Sequence, residues 1–209
     1  MEPGTVDQRR EAGMRTRTRL LDAALDQLAE RGQDGVNLRE LTDAAGANVA
    51  AVSYHFGSLK ALSDAAIEHA AERYLEAQQT ALSALDAEST LEELAAAFAR
   101  PMMQALADGG RDLDVMRIVA RCSIDPPAAW ARFDATFDRI RADVLEALKA
   151  NVPDVRAREL TFRIRCAAGL LNWLVLAPVG ADLRNTSAKN IERRLVPVLA
   201  GALRGTSEG

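Results

Sequence analysis

The chain has 209 residues, 48% of them hydrophobic but only 4% aromatic, and a formal net charge of −4. Alanine and leucine dominate and β-branched alternation is almost absent, which predicts an all-α protein of one large or two smaller helical bodies and excludes a strand-rich sandwich or barrel. A chain that is acidic as a whole is no polycation, so any affinity for nucleic acid must come from a local patch.

Residues 1–14 carry Arg9 and Arg10 among polar neighbours and read as a solvated, disordered tail. The first helix follows, with the sequence TRTRLLDAALDQLAERG closing at Gly32. Arg15, Arg17, Thr18 and Arg19 lie at its start, and Arg17 and Thr18 are placed to hold phosphates. Asp22, Asp26, Glu30, Asp34, Glu40 and Asp43 offset these cations, so the segment is electrically two-sided if the acids face away from the duplex.

The stretch NLRELTDAAGANVAAVSYHFGSLKAL, residues 37–62, has the layout of a helix-turn-helix. Asn37 and Glu40 read as a capping box, Leu38, Leu41 and Ala45 form one apolar face, and Gly46 supplies the stop. Asn48 caps a second helix whose inward face is Val49, Val52 and Phe56. Its outward side carries Ala50, Ala51 and Tyr54, with Ser53 and His55 at the edges. Small alanines let a helix enter the major groove and touch thymine methyls, while the hydroxyls and imidazole suit base edges or phosphates. Ser58 opens the next helix, where Lys60 adds a positive charge. The same geometry also occurs in helical adaptors that bind proteins and never meet DNA, and that reading stays open here.

From Ser58 a helix runs through Leu62, Ile67 and Tyr74 toward Leu85, as a connector to a second body. Thr90 and Glu93 form a capping box ahead of Leu94, Phe98, Met102 and Leu106, and Asp108-Gly109-Gly110 ends that helix. Asp112 is read as the cap of a short helix with Leu113, Met116 and Val119, on which Arg117 and Arg121 share a face that is solvated, acid-paired or placed to grip an acidic headgroup. Pro126-Pro127 is expected to begin a long helix striped by Trp130, Phe133, Phe137, Ile140, Val144 and Leu148.

The next helix is apolar on two faces. Leu160, Ile164, Ala167, Leu171 and Leu174 line one, and Phe162, Cys166, Leu170, Trp173 and Ala177 the other. A second copy of the chain is the natural cover for the extra face, joined by Leu195, Leu199 and Leu203 of the last helix in a four-helix interface. The alternative is that the chain's own helices fill both faces.

Cys122 and Cys166 are isolated, so neither a disulfide framework nor a zinc site is expected. The run from Gly169 to Gly180 is broken by Asn172 and Pro178 and is too short to span a bilayer. With no basic-then-apolar signal at the start, a soluble cytoplasmic protein is expected. The chain has only two histidines, His55 and His69, and no phosphate loop, nucleophile elbow or metal-ligand cluster, so no enzyme, catalytic residue, metal or cofactor is expected.

In the order of these residues, from Thr16 to Leu62, the chain resembles the TetR family of bacterial transcriptional regulators. Asn37-Leu38-Arg39-Glu40-Leu41 is similar to the family's second helix, Ala45-Gly46 to its turn, and Tyr54-His55-Phe56-Gly57-Ser58 to the end of its recognition helix. The resemblance implies a DNA-binding domain over 15–62 and an effector-binding and dimerisation domain over 63–209. It implies a homodimeric repressor, or less often an activator, that reads a near-palindromic operator and answers a small apolar or amphipathic effector. It carries the DNA-facing role to Ala51, Ser53, His55 and Lys60.

There are departures from the family pattern. The family's lysine directly after this serine is replaced by Leu59, with Lys60 one place later and about 100° further round the helix. A tyrosine frequent in the recognition helix is replaced by Ser53, with Tyr54 next. Phe98, Met102, Met103, Met116, Trp130, Phe133 and Phe137 belong to the helices that, by the same resemblance, enclose the effector. They offer an adaptable apolar lining.

Overall fold

A computed structural model of the chain describes residues 3–86, 88–177 and 186–205, with side chains from residue 8 onward. Among the described residues every regular element is helical, and nine α-helices are joined by turns and two short 3-10 segments. The chain divides into two compact units, Met1–Ala70 and Ala71–Gly209. Pro178 and Gly180, at the far end of the apolar run from Gly169, lie outside the described residues. No helix among the described residues is long and apolar enough to cross a membrane.

The first unit holds α1 (Pro3–Arg31), α2 (Leu38–Ala44), α3 (Val49–Phe56) and the start of α4 (Leu59–Leu82). Leu20, Ala24, Leu25 and Leu28 of α1 meet Leu41, Val52, Leu62 and Ile67 in a core from which water is almost excluded. The expected disordered tail is corrected, because α1 begins at Pro3. Gln8, Arg9, Arg10, Glu11 and Ala12 are good helix formers, and extending a helix already nucleated costs little.

Asn37 caps α2 as expected, its side-chain oxygen accepting the amides of Arg39 and Glu40 at 3.0 and 3.1 Å. The reciprocal half of the expected box is not made by Glu40, which turns instead to Arg31. The Asn37 amide donates to the side chain of Gln27 on α1 at 2.8 Å. At the other end of α2, Gly46 takes φ of 57°, a value that favours glycine. The amides of Gly46 and Ala47 then close back on Asp43 and Thr42, which turns the chain sharply into α3.

The second unit packs α5 (Leu91–Asp108), α6 (Gly110–Ile124), α7 (Asp134–Asn151), α8 (Ala157–Leu176) and α9 (Ala188–Arg204) with the end of α4. The Thr90–Glu93 capping box forms in both directions, and the hydrogen bonds from Thr90 hold the Glu93 carboxyl below its ordinary range. Two helix starts differ from expectation. Gly109 turns the chain at φ of 68° and α6 begins at Gly110, leaving Asp112 in its first turn, paired with Arg73 at 2.6 Å. After Pro126-Pro127 the chain makes a 3-10 segment over Ala128–Phe133, and the α-helix starts only at Asp134. Trp130 and Phe133 anchor that segment in the interior.

α9 lies along α5. Ile191, Leu195, Leu199 and Leu203 are buried there against the chain's own core. The expectation that Leu195, Leu199 and Leu203 meet a second copy is therefore corrected. Side chains already sealed inside one molecule have no surface left to give to another.

Candidate functional site

The first candidate surface is the outer side of α3. Its helix starts because the side chain of Asn48 accepts the amide of Ala51 at 2.9 Å, and it stops at Gly57, where φ is 84°. Val52 is buried and pins the inward face. Asn48, Ala50, Ser53 and Tyr54 are exposed, Tyr54 at 84%, while Ala51 and His55 are half-buried. Val49, expected on the inward face with Val52 and Phe56, is 49% exposed and joins the outer set. It is the first residue of α3, and a helical side chain leans toward the amino end, so it overhangs the turn rather than the core.

α1 and α4 add to this surface within the same unit. The guanidinium of Arg17 lies over the half-buried ring of Phe56 at 4.8 Å, a cation–π contact that steadies both at the end of α3. A side-chain carbon built on Gly13 would stand 3.9 Å from the His55 ring, so α1 passes close beside α3 here. His55 meets Tyr54 edge to face at 4.8 Å. Thr18 and Arg19 are exposed, and Arg19 reaches back toward Thr16. Ser58 caps α4 through the amide of Ala61, and Lys60 is exposed but held by Asp64 at 2.6 Å. Arg17, Thr18, Asn48, Ala50, Ala51, Ser53, Tyr54, His55 and Lys60 all belong to the first unit.

The second candidate is a cavity of about 510 Å³ inside the larger unit. Of the seven residues expected to line it, Phe98, Met102, Met116 and Phe137 do. Met103, Trp130 and Phe133 do not, and are buried in packing instead. Trp130 stacks on Phe137 at 4.8 Å, so it backs the wall rather than forming it.

Sequence reading missed the polar part of the lining. Tyr74 and Gln78, one turn apart on α4, face the cavity as a bonded pair, the phenol donating to the amide oxygen at 3.2 Å. Gln78 is fully buried and also donates to the carbonyl of Ala97. Burial pushes the Tyr74 phenol up to about 12. Ser123 of α6, Arg141 of α7 and Arg165 and Asn172 of α8 complete the polar set. Arg117 pairs with Asp114 on its own helix, in keeping with an acid-paired face, and lines no part of the cavity.

A third feature is the outward face of α8. Leu160, Ile164, Ala167, Leu171 and Val175 point into the bundle. Phe162 is 61% and Trp173 56% exposed, Cys166 is exposed between them, and Leu170 is half-buried beside them. On α9 the exposed neighbours are Pro197, Val198 and Gly201. The two thiols differ in setting. Cys122 is buried, which lifts it to about 11 with help from Asp125, whereas Cys166 lies on the open face. No group of His, Cys, Asp or Glu among the described residues is arranged to hold a metal ion.

Comparison with known proteins meets this geometry at both units. The family model described as bacterial regulatory proteins, tetR family, matches residues 20–66, and the tetracyclin repressor-like C-terminal domain matches residues 96–202. The HTH-type transcriptional regulatory protein RaaS of Mycobacterium tuberculosis is 26% identical over 180 residues, covering 84% of this chain and 79% of that protein. The crystal structure of AibR, in complex with isovaleryl coenzyme A and operator DNA, matches with a TM-score of 0.67 at 17% identity, over 88% of this chain and 97% of that one. The TetR family regulator PfmR from Thermus thermophilus matches with a TM-score of 0.64 at 21% identity, over 91% of this chain and 97% of that one. At these identities the solved structures share the fold.

Proposed function

Because the chain belongs to the TetR family of DNA-binding transcriptional regulators, we propose that it is a homodimeric repressor released from a near-palindromic operator by a small amphipathic effector. Residues 15–62 act as the DNA reader, and residues 63–209 bind the effector and the second copy. The observation that carries this reading is the outer side of α3, where Ala50, Ser53 and Tyr54 are free while Val52 locks the opposite side inward. In this reading Ala50 and Ala51 approach base edges, and Asn48, Ser53, Tyr54, His55, Thr18, Arg17 and Lys60 hold the flanking backbone. The dimer closes through Phe162, Cys166, Leu170 and Trp173 of α8, with Pro197, Val198 and Gly201 of α9 replacing the leucines expected from the sequence.

Two readers on one two-fold axis meet successive major grooves about 34–36 Å apart, so a ligand that favours another spacing lowers operator affinity. Coupling of about 1–3 kcal/mol suffices for such control. The cavity supplies the ligand's place, with Tyr74 and Gln78 of α4 in its wall. AibR, of the same fold, was solved with both an acyl thioester and its operator, which supports pairing the two activities here. Selection of bound duplexes from a random library, followed by titration at two salt concentrations, tests the proposal. Palindromic enrichment with affinity falling steeply in salt is expected. Binding without sequence preference, or none, overturns it.

A further inference from the structure

The charge of the cavity lining narrows the effector class. Among the described residues its wall contains two arginines, Arg141 and Arg165, and no Asp, Glu, Lys or His. In a chain of net charge −4 that local excess of positive charge runs against the average. Arg141 is shared with Asp138 one turn earlier on α7. Arg165 is exposed, and among the described residues none forms an ion pair or hydrogen bond with it.

The spacing on α8 makes a seat around that arginine. Arg165, Ala168, Gly169 and Asn172 stand at i, i+3, i+4 and i+7, a single stripe along the cavity. A side-chain carbon added at Gly169 would meet nothing within 4 Å, and Arg165 and Gly169 are exposed while Asn172 is half-buried, so the stripe lies at the cavity's solvent-open edge with a guanidinium at one end and an amide at the other. The lining also includes Phe98, Met102, Met116, Phe137 and Val144, with Tyr74, Gln78 and Ser123 as its other polar members. The arginine-bearing edge therefore suits a planar anion, and the apolar side chains suit a hydrocarbon tail.

We infer that the cavity selects an amphiphile with an anionic head, carboxylate or phosphate, seated on Arg165 and Asn172 beside Arg141, with its apolar tail between Phe98, Met102 and Phe137. The inference rests on the reading of this cavity as the effector site. A guanidinium presents a fork of donors that matches either anion, and such charge-assisted hydrogen bonds exceed neutral ones in strength. An uncharged head gains less from the seat, and a cationic head is repelled by it.

The test is calorimetric titration of the full-length protein with decanoate, decyl phosphate, 1-decanol and decylamine, each repeated on Arg165→Gln and Arg165→Lys, with operator affinity measured in the same samples. At least one anion should bind about 10–100-fold tighter than the alcohol and the amine. Arg165→Gln should remove most of that advantage and leave decanol binding unchanged, while Arg165→Lys keeps part of it. The stronger of the two anions identifies the head. Decanol or decylamine binding as tightly as both anions overturns the inference, as does an anion preference that survives Arg165→Gln or a cavity that takes none of the four. Tight, Arg165-dependent anion binding that leaves operator affinity unchanged would sustain the inference and count against the repressor reading instead.

Discussion

Replacing Trp173 by Asp isolates the outward face of α8 from the fold beneath it. Trp173 is 56% exposed, whereas Leu171 and Val175, its neighbours on the inward side, are buried. A tryptophan presents up to about 250 Å². The free part is then roughly 140 Å² per copy, and twice that across a two-fold axis, by the same figure. At about 25 cal/mol per Å² the ceiling on its contribution to association is roughly 7 kcal/mol. Ordering and imperfect packing consume part of this, and about half is a working value. A carboxylate placed there adds an unpaired buried charge on each copy, costing several kcal/mol more.

The variant should raise the dimer dissociation constant by at least about a thousand-fold. Sedimentation velocity at micromolar concentration should then show monomers whose helical circular dichroism matches the parent. The control is Leu199→Ala on α9, which is sealed in the chain's own core. It should cost about 2–5 kcal/mol of folding stability and leave association intact below its melting temperature. A Trp173→Asp protein that sediments as a dimer with parental affinity would refute the assignment of this face.

Tyr54→Ala should weaken operator binding by about 1–3 kcal/mol and leave the melting temperature unchanged, since the side chain is almost wholly exposed; unchanged affinity in a gel-shift titration counts against the α3 surface. Arg17→Gln removes one phosphate contact per copy, so the slope of log affinity against log salt should fall by about 1.8 for the dimer, and an unaltered slope places Arg17 off the DNA. Tyr74 sets a window at high pH. Its folded pKa of about 12 lies above the ordinary value of 10.0, so the folded state holds the proton longer than the unfolded chain. The stability it lends is complete below pH 10 and is lost as pH rises toward 12. In a Tyr54→Phe background Tyr74 is the remaining tyrosine, and phenolate absorbance should give a midpoint near 12; a midpoint at 10 would show the phenol to be solvated.

The sequence made the reader legible because its signals are local. Asn37, Gly46, Asn48 and Gly57 each act within a few residues, and all four do what capping chemistry expects of them. What escaped depended on partners distant in sequence. Glu40 had two possible uses, and the choice was made by Arg31, while the amide left over was taken by Gln27, ten positions away. The stripe of α9 shows only that something apolar covers it; that the cover is α5 rather than a second copy is a tertiary fact. The cavity followed the same logic. Aromatic and methionine residues announce an interior, but whether Trp130 backs the wall or forms it depends on the 3-10 segment that replaced the expected first turns of α7. Arg165 and Asn172 carried no signal in one dimension, because their place in the cavity wall depends on how α8 packs against α7.

The unequal settings of the two cysteines supply a ready-made reporter. Cys122 is shut inside and its thiol is pushed up to about 11, so the reactive thiolate is scarce and hard to reach at neutral pH. Cys166 stands in the open beside Phe162 and Trp173. A maleimide dye would therefore attach once per chain, without engineering, and sit on the very patch whose covering by a second subunit is at issue. Its labelling rate would read subunit exchange directly.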